Sequence, residues 1–514
     1  MKKSNNSLSR RNFIGTVGTA TAAFTIVPRN VIAGMGYQQP SDIVNIASIG
    51  LGSQGTSDIQ NLCTPDEPIV TPERHRRTGI LPSDPLYKVA MEGDQRTNYF
   101  STLSRGSVNP AGPAAGGGAD PSGPAAGGFT RREREPVKLA NIYALCDVDT
   151  EFAGPTIKGY PKAKLYTDWR ELLEKESSNI DAVNIATPDH NHAIIAAHFI
   201  REKKHIYVQK PMAKTIYEIR KLTELAREYD VVTQMGNQFH ADEYTRQTVE
   251  LIQSGAIGFV REVWVTGGSP PWPRGNIQRP DPKPVPSNLN YDVWTGPAPM
   301  KPYNPLTLHN QWRALWDYGT GYLGDWIAHY LDPVWWALNL DRPIRVQSTC
   351  TAFSSEYYPE AEEITYEFAA RGYNPPVKII WRDGGIKTPR PFEMEQGRNM
   401  PVTVYVGDKG YLCGARGIAP TYIPDKPVEL PEPWIPRTGN IYEEWIGAIK
   451  NGTKTTNDFS YSSKIVESML LGNIAHKMQN ANIILEYDGE DGKFTNSEEA
   501  NALLHYEYRQ GWTL

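Results

Sequence analysis

A chain of 514 residues exceeds what one ordinary hydrophobic core holds and points to two domains with additional segments. A formal net charge of −5 gives no electrostatic reason to expect nucleic acid or an anionic membrane surface as a partner. Four cysteines, Cys63, Cys146, Cys350 and Cys413, are scattered without C-x-x-C spacing, so neither a zinc site nor a disulfide framework is indicated and buried thiols are expected.

The N-terminus carries Ser9-Arg10-Arg11-Asn12-Phe13-Ile14, then a dilute apolar run rich in Gly, Ala and Thr through Val27. This is the layout of a twin-arginine export signal, expected over residues 1–33 with cleavage near Ala33. The apolar part is too short to span a bilayer, so no membrane insertion is expected after cleavage. The mature chain is therefore expected in the periplasm or otherwise exported. Because that route carries folded proteins, a cofactor would be loaded before export.

Val44 to Gly55, VNIASIGLGSQG, is an apolar, β-branched run ending in G-x-G-x-x-G. A strand, a tight turn and a helix from Thr56 to about Leu62 are expected. Gly50 allows the turn, Gly52 lets backbone approach a pyrophosphate, and Gly55 lets the helix sit close to the sheet. Leu51, Ser53 and Gln54 complete the expected dinucleotide-binding turn. An insert follows at about residues 66–135, whose centre, Asn109 to Gly128, nearly repeats PAGPAAGG as PSGPAAGG. No core can be built from that composition, so a flexible or partly polyproline-II surface loop is expected.

Leu139 to Cys146 reads as the second strand, closed by Asp147. An acidic residue there holds the adenosine ribose hydroxyls and repels a 2'-phosphate, which favours NAD over NADP. From Lys164 strands and helices alternate: a helix capped by Asp168, a strand at Ile180 to Ala186, then a helix from Thr187-Pro188 to about Arg201. A strand at His205 to Val208 ends in Gln209-Lys210-Pro211, and a helix from Thr215 to Glu228 precedes Val231 to Met235. Gly50, Asp147, Thr187 and Lys210 all close strands, so they should converge on the carboxyl edge of a parallel sheet.

The second half alternates differently. Runs at Val260 to Thr266, Pro343 to Phe353, Glu363 to Phe368, Val377 to Trp381 and Val402 to Val406 suggest a mostly antiparallel sheet, with helices at Tyr442 to Lys450 and Ser462 to Gln479. The expected architecture is α/β plus α+β: a Rossmann domain at 42–240, containing the insert, and an α+β domain at 241–514. Within Tyr322 to Tyr330, a helix would place Asp325 and His329 on one face, where an imidazole can take a hydroxyl proton and a carboxylate can orient it. No further His or Cys stands at ligand spacing, so no metal is expected.

Together, Gly50-x-Gly52-x-x-Gly55, Asp147, Thr187-Pro188 with His192, Lys210-Pro211, and Asp325-x-x-x-His329 resemble the Gfo/Idh/MocA oxidoreductases. Trp294 to Pro299, Val406 to Tyr411 and Asn496 to Trp512 also look like a secreted bacterial subgroup. The resemblance implies an NAD-binding site at residues 50–55, Asp147, Thr187, Pro188, His192, Gln209 and Lys210. It implies catalysis by Lys210, Asp325 and His329, with Lys210 near the nicotinamide and the substrate hydroxyl and His329 as acid/base. The family commonly has Glu before Lys-Pro; here it is Gln209.

The resemblance implies a small-molecule carbohydrate substrate, with one or two tryptophans such as Trp312 or Trp316 lining the site, and allows a homo-oligomer through the second domain. The expected function is an exported NAD-dependent oxidoreductase acting on a hydroxyl of a sugar, polyol or sugar derivative. Two other readings stay open at this point. One is a glycoside hydrolase or lyase using NAD through a transient keto-sugar, although the Thr-His-Gly-rich stretch expected of such hydrolases is missing. The other is a non-catalytic sugar- or nucleotide-binding protein.

Overall fold

The computed structural model describes residues 43–70, 136–270 and 272–514. The expected export signal and residues 71–135 of the insert lie outside the described residues.

In chain order the first half is β1 (Val44–Ile49), α1 (Ser53–Leu62), β2 (Ala140–Cys146), α2 (Gly154–Gly159), β3 (Lys164–Tyr166) and α3 (Trp169–Glu176). It continues with β4 (Ala182–Ile185), α4 (Asp189–Arg201), β5 (His205–Gln209), α5 (Ile216–Glu228) and β6 (Thr233–Gly236). The six strands form one parallel sheet in the order β3-β2-β1-β4-β5-β6. All of β4 is buried, as expected where both faces of a parallel sheet are covered. The Asp168 side chain accepts from Arg170 N at 2.9 Å to start α3, and Thr215 with Glu218 forms a capping box on α5. Each such cap is worth about 1 kcal/mol. The strand order reverses between β1 and β4, which opens a crevice at their carboxyl ends.

The second half contains α6 (Glu243–Gln253), β7 (Val260–Thr266), α7 (Tyr291–Thr295), α8 (Gly321–Leu338), β8 (Arg345–Cys350), β9 (Glu362–Phe368), β10 (Val377–Arg382) and β11 (Thr403–Gly407). It ends with β12 (Gly410–Ala415), β13 (Ile418–Ile423), α9 (Ile441–Asn451), α10 (Phe459–Lys477), β14 (Leu485–Asp488), β15 (Lys493–Phe494) and α11 (Glu498–Asn501). These nine strands form a second sheet in the order β13-β12-β11-β7-β10-β9-β8-β14-β15. β7 and β10 are parallel and the other neighbours antiparallel. β9 alternates buried and half-buried side chains, so one face meets the core and the other is partly open.

α6, α8 and α10 pack together against this sheet. Leu323, Ile327, Ala328, Leu331 and Val334 of α8 are completely buried. Full burial of each large aliphatic contributes about 2 kcal/mol, which pins the helix that carries Asp325 and His329. α9 crosses back to the first half, where Ile441, Tyr442, Trp445 and Ile446 share a core with Val44, Ile46, Ile59 and Tyr207. Among the described residues no helix is long and apolar enough to cross a membrane. All four cysteines are free; Cys146 and Cys413 are buried as expected, whereas Cys63 and Cys350 are half-buried.

Candidate active site

The glycine turn joins β1 to α1. Gly50 has φ +87°, and a Cβ there would lie 2.6 Å from the Ala186 backbone beyond β4. A Cβ on Gly55, within the first turn of α1, would lie 1.9 Å from Gly50 O. Both glycines are required by the protein's own backbone. Gly52 is not: the nearest atom to its notional Cβ is in the Phe152 ring at 3.8 Å. Gly52 is also the N-cap of α1 and supplies no side-chain cap, so the first helical N–H groups remain available. The helix starts at Ser53 rather than Thr56, which places Leu51, Ser53 and Gln54 around a cavity of about 470 Å³.

Asp147 stands beside this turn. One carboxylate oxygen accepts from Leu51 N at 2.6 Å and the other from Asp149 N at 2.9 Å. Burial pushes its carboxyl up to about 6, against these two hydrogen bonds. His309 Nε2 lies 3.3 Å from Asp149, and its ring stacks on Phe152 with centroids 3.8 Å apart. This acidic, aromatic end of the cavity, at the end of β2, is three strand spacings from Lys210 at the end of β5, about 14 Å.

Thr187 and Pro188 line the cavity between the two ends. His192 does not offer a ring nitrogen to it. Nε2 lies 2.8 Å from Thr187 O and Nδ1 2.7 Å from Pro211 O, so the ring braces the end of β4 against the end of β5. Burial, with Lys210 and Arg313 nearby, pushes its pKa down to about 4, so one of those two contacts carries the proton. The Gln209 amide nitrogen likewise turns inward, donating to both oxygens of the buried Asp58 at 2.8 and 3.0 Å. Gln54 and the Tyr442 hydroxyl donate to the same carboxylate. A glutamate at 209 would oppose Asp58; the amide resolves that conflict.

The chemical end is built by β5 and α8. Lys210 Nζ donates to the Asp325 carboxylate at 2.7 Å and to the Asp325 carbonyl. Arg313 Nε donates to the same carboxylate oxygen at 3.1 Å. Burial alone would raise the Asp325 carboxyl, but these two cations outweigh it and hold it well below the usual carboxylate range. His329 is 6% exposed and lies one turn further along α8. Its Nδ1 is 2.7 Å from Asn237 Oδ1, and the Asn237 amide nitrogen donates to Ala328 O, which orients the amide oxygen toward the ring. Nδ1 therefore carries the proton and Nε2 keeps its lone pair. Burial, then the charges of Lys210 and Arg416, push the imidazole well below its ordinary pKa, so it stands neutral as a base.

Sequence reasoning missed Arg313, Asn237 and Asp189. Asn237 follows the end of β6 on the same sheet edge, a signal open to the strand-end argument. Arg313 sits in a four-residue 3-10 helix, Gln311–Ala314, too short for any periodicity to point to it. Asp189 is buried and accepts from the Thr320 hydroxyl at 2.5 Å; burial pushes it up to about 7. Trp312 lines the cavity as expected, but Trp316 does not: its Nε1 donates to Tyr357 O and its ring packs on Tyr358, because it faces a separate surface depression. Among the described residues no group of His, Cys, Asp and Glu is arranged to hold a metal.

Two family models match this chain. The oxidoreductase family NAD-binding Rossmann fold of GFO_IDH_MocA covers residues 125–237, and its oxidoreductase family C-terminal alpha/beta domain covers residues 245–392. The chain belongs to the Gfo/Idh/MocA oxidoreductase family. The first match begins inside the insert and so leaves out the glycine turn. Myo-inositol 2-dehydrogenase of Thermotoga maritima is 25% identical over 131 residues, 26% of this chain and 39% of the relative. Levoglucosan dehydrogenase of Pseudarthrobacter phenanthrenivorans is 26% identical over 114 residues, 22% of this chain and 29% of the relative. These matches thus span well under half the length of either relative.

Among solved structures, GenD2 from gentamicin A biosynthesis, in complex with NAD, aligns with TM-score 0.51 at 14% identity, covering 90% of this chain and all of that one. The WlbA dehydrogenase of Bordetella pertussis, in complex with NADH and UDP-GlcNAcA, aligns with TM-score 0.50 at 13% identity, covering 87% and 99%. At these identities the likeness shows the family's two-domain fold. The residues present fit the family's nucleotide: the uncapped α1, the open space at Gly52 and the carboxylate of Asp147 suit a pyrophosphate and an adenosine ribose.

Proposed function

We propose that this protein is an NAD-dependent dehydrogenase that oxidises a carbinol carbon of a sugar, polyol or sugar derivative. The observation that carries this reading is the Lys210–Asp325 ion pair at the strand-end cavity, with the neutral His329 one helical turn away. NAD, when bound, supplies the hydride acceptor. Gly50 to Gly55 and Asp147 would hold its pyrophosphate and adenosine ribose, and Lys210 would stand at the nicotinamide end.

The chain's residues divide the remaining work. The Lys210 ammonium, anchored by Asp325, stabilises negative charge developing on the substrate hydroxyl oxygen. His329 Nε2 accepts the hydroxyl proton, and Asn237 keeps Nδ1 protonated so that Nε2 stays the basic atom. Asp325 accepts hydrogen bonds from Lys210 and Arg313, which fixes both cations beside the substrate.

We also infer export by the twin-arginine route, supported by Ser9-Arg10-Arg11-Asn12-Phe13-Ile14 and the small-residue run after it. The dehydrogenase reading is tested by loading the purified protein with NAD and adding a panel of sugars and polyols. Appearance of the reduced-nicotinamide absorbance band together with a ketone product supports it. Released aglycone without net reduction, or no change with NAD demonstrably bound, counts against it.

A further inference from the structure

We infer that the substrate carries a negatively charged substituent, a carboxylate or a phosphate, and that Arg416 is the residue that reads it. Arg416 sits at the turn between β12 and β13, outside every motif used above. Its guanidinium carbon lies 4.4 Å from the Trp326 ring centroid, 4.7 Å from that of Phe239 and 5.5 Å from that of Tyr330. Two of these three rings also flank the proposed base: Phe239 is 5.5 Å from the His329 ring at 85°, and Trp326 is 6.2 Å from it at 74°. The aromatic walls hold the guanidinium beside His329.

Stacking leaves the guanidinium's N–H donors unused. Among the described residues no carboxylate pairs with Arg416 and no hydrogen bond engages its side chain. Asp242, which meets this turn by accepting from Gly417 N, is committed to that contact and to capping α6. A planar five-donor fork, half-buried and fixed against rings, is suited to bidentate capture of a carboxylate or phosphate. The charge balance points the same way. Lys210 and Arg313 line this end of the cavity and share Asp325, while Arg416, outside the lining, brings a third positive charge to His329, and Asp325 neutralises only one of the three. Burial pushes Asp189 up to about 7, so it offsets this excess only in part. A neutral sugar would leave the positive excess uncompensated, whereas an anionic one completes it.

This inference rests on the dehydrogenase reading for its placement of substrate, but its test reads binding rather than turnover. Full-length protein with NAD present is titrated with D-glucuronate, methyl D-glucuronate, D-glucose and glucose 6-phosphate, in wild type, Arg416→Met and Arg416→Lys. At least one anion should bind about tenfold more tightly than its neutral counterpart. That preference should weaken with salt, vanish in Arg416→Met and survive in part in Arg416→Lys. Glucuronate and glucose 6-phosphate separate the two anion chemistries. Equal affinity for all four, no binding of any, or a preference unchanged in Arg416→Met overturns the inference. An unaltered NAD affinity in Arg416→Met shows that the variant is folded. Failure of the wild type to bind NAD sinks the dehydrogenase reading instead.

Discussion

His329 Nδ1 and Asn237 Oδ1 lie 2.7 Å apart across 92 residues of chain, joining α8 to the end of β6. This contact decides which ring nitrogen is free. Asn237→Asp would place a carboxylate against the imidazole and stabilise its charged form. We expect the acid limb of the kcat/KM profile to fall below the ordinary histidine value of about 6.5 in wild type and to move up by one to two pH units in the variant. A profile that does not move removes His329 from proton transfer.

The three glycines of the turn should behave differently. Gly55→Ala drives a Cβ against Gly50 O and should prevent folding. Gly52→Ala meets no protein atom closer than 3.8 Å and should leave the melting temperature near wild type. Its effect should fall on NAD affinity, weakened about tenfold or more. Thermal melts and NAD titrations read the two effects separately, and undiminished NAD affinity in Gly52→Ala would place the pyrophosphate elsewhere.

Gln209 and Asp58 form a matched pair. Gln209→Glu puts two carboxylates in one buried contact and should destabilise the protein by about 2 kcal/mol near neutral pH. The double variant Gln209→Glu with Asp58→Asn restores complementarity and should recover most of the loss. A double-mutant cycle on urea melts measures the coupling; additive losses would show that the two side chains act independently.

Asp189 links stability to pH. Burial pushes it up to about 7, so the native state keeps a proton that the unfolded chain releases from about 4 upward. The stabilising difference is present at low pH and is lost as pH rises through the native value. Asp189→Asn removes the titration while its amide oxygen can still accept from Thr320. Its stability relative to wild type should therefore grow by about 2 kcal/mol between about pH 5 and about pH 8. A gap that stays constant over that range would mean Asp189 is ionised throughout.

The strand-end residues were legible because parallel sheets place ligands at their carboxyl edge, so Gly50, Asp147, Thr187 and Lys210 needed only the alternation of strands and helices. Asp325 and His329 were legible from helical spacing. What escaped depends on how distant elements meet. The ring nitrogens of His192 are claimed by two carbonyls that no local pattern reveals, and Gln209 turns to a carboxylate 151 residues away. Arg313 and Arg416 come from a single 3-10 turn and a hairpin turn. The return of α9 onto the first sheet needed the fold itself.

The most direct test of the account is single-turnover kinetics of NAD-loaded wild type and Lys210→Met with one oxidisable substrate, read at the reduced-nicotinamide band. Arg313 still pairs with Asp325 in the variant, so the fold should persist, and saturating NAD keeps both proteins loaded. The rate constant for reduction should fall about 10³-fold. A variant that reduces NAD at the wild-type rate would contradict the central claim.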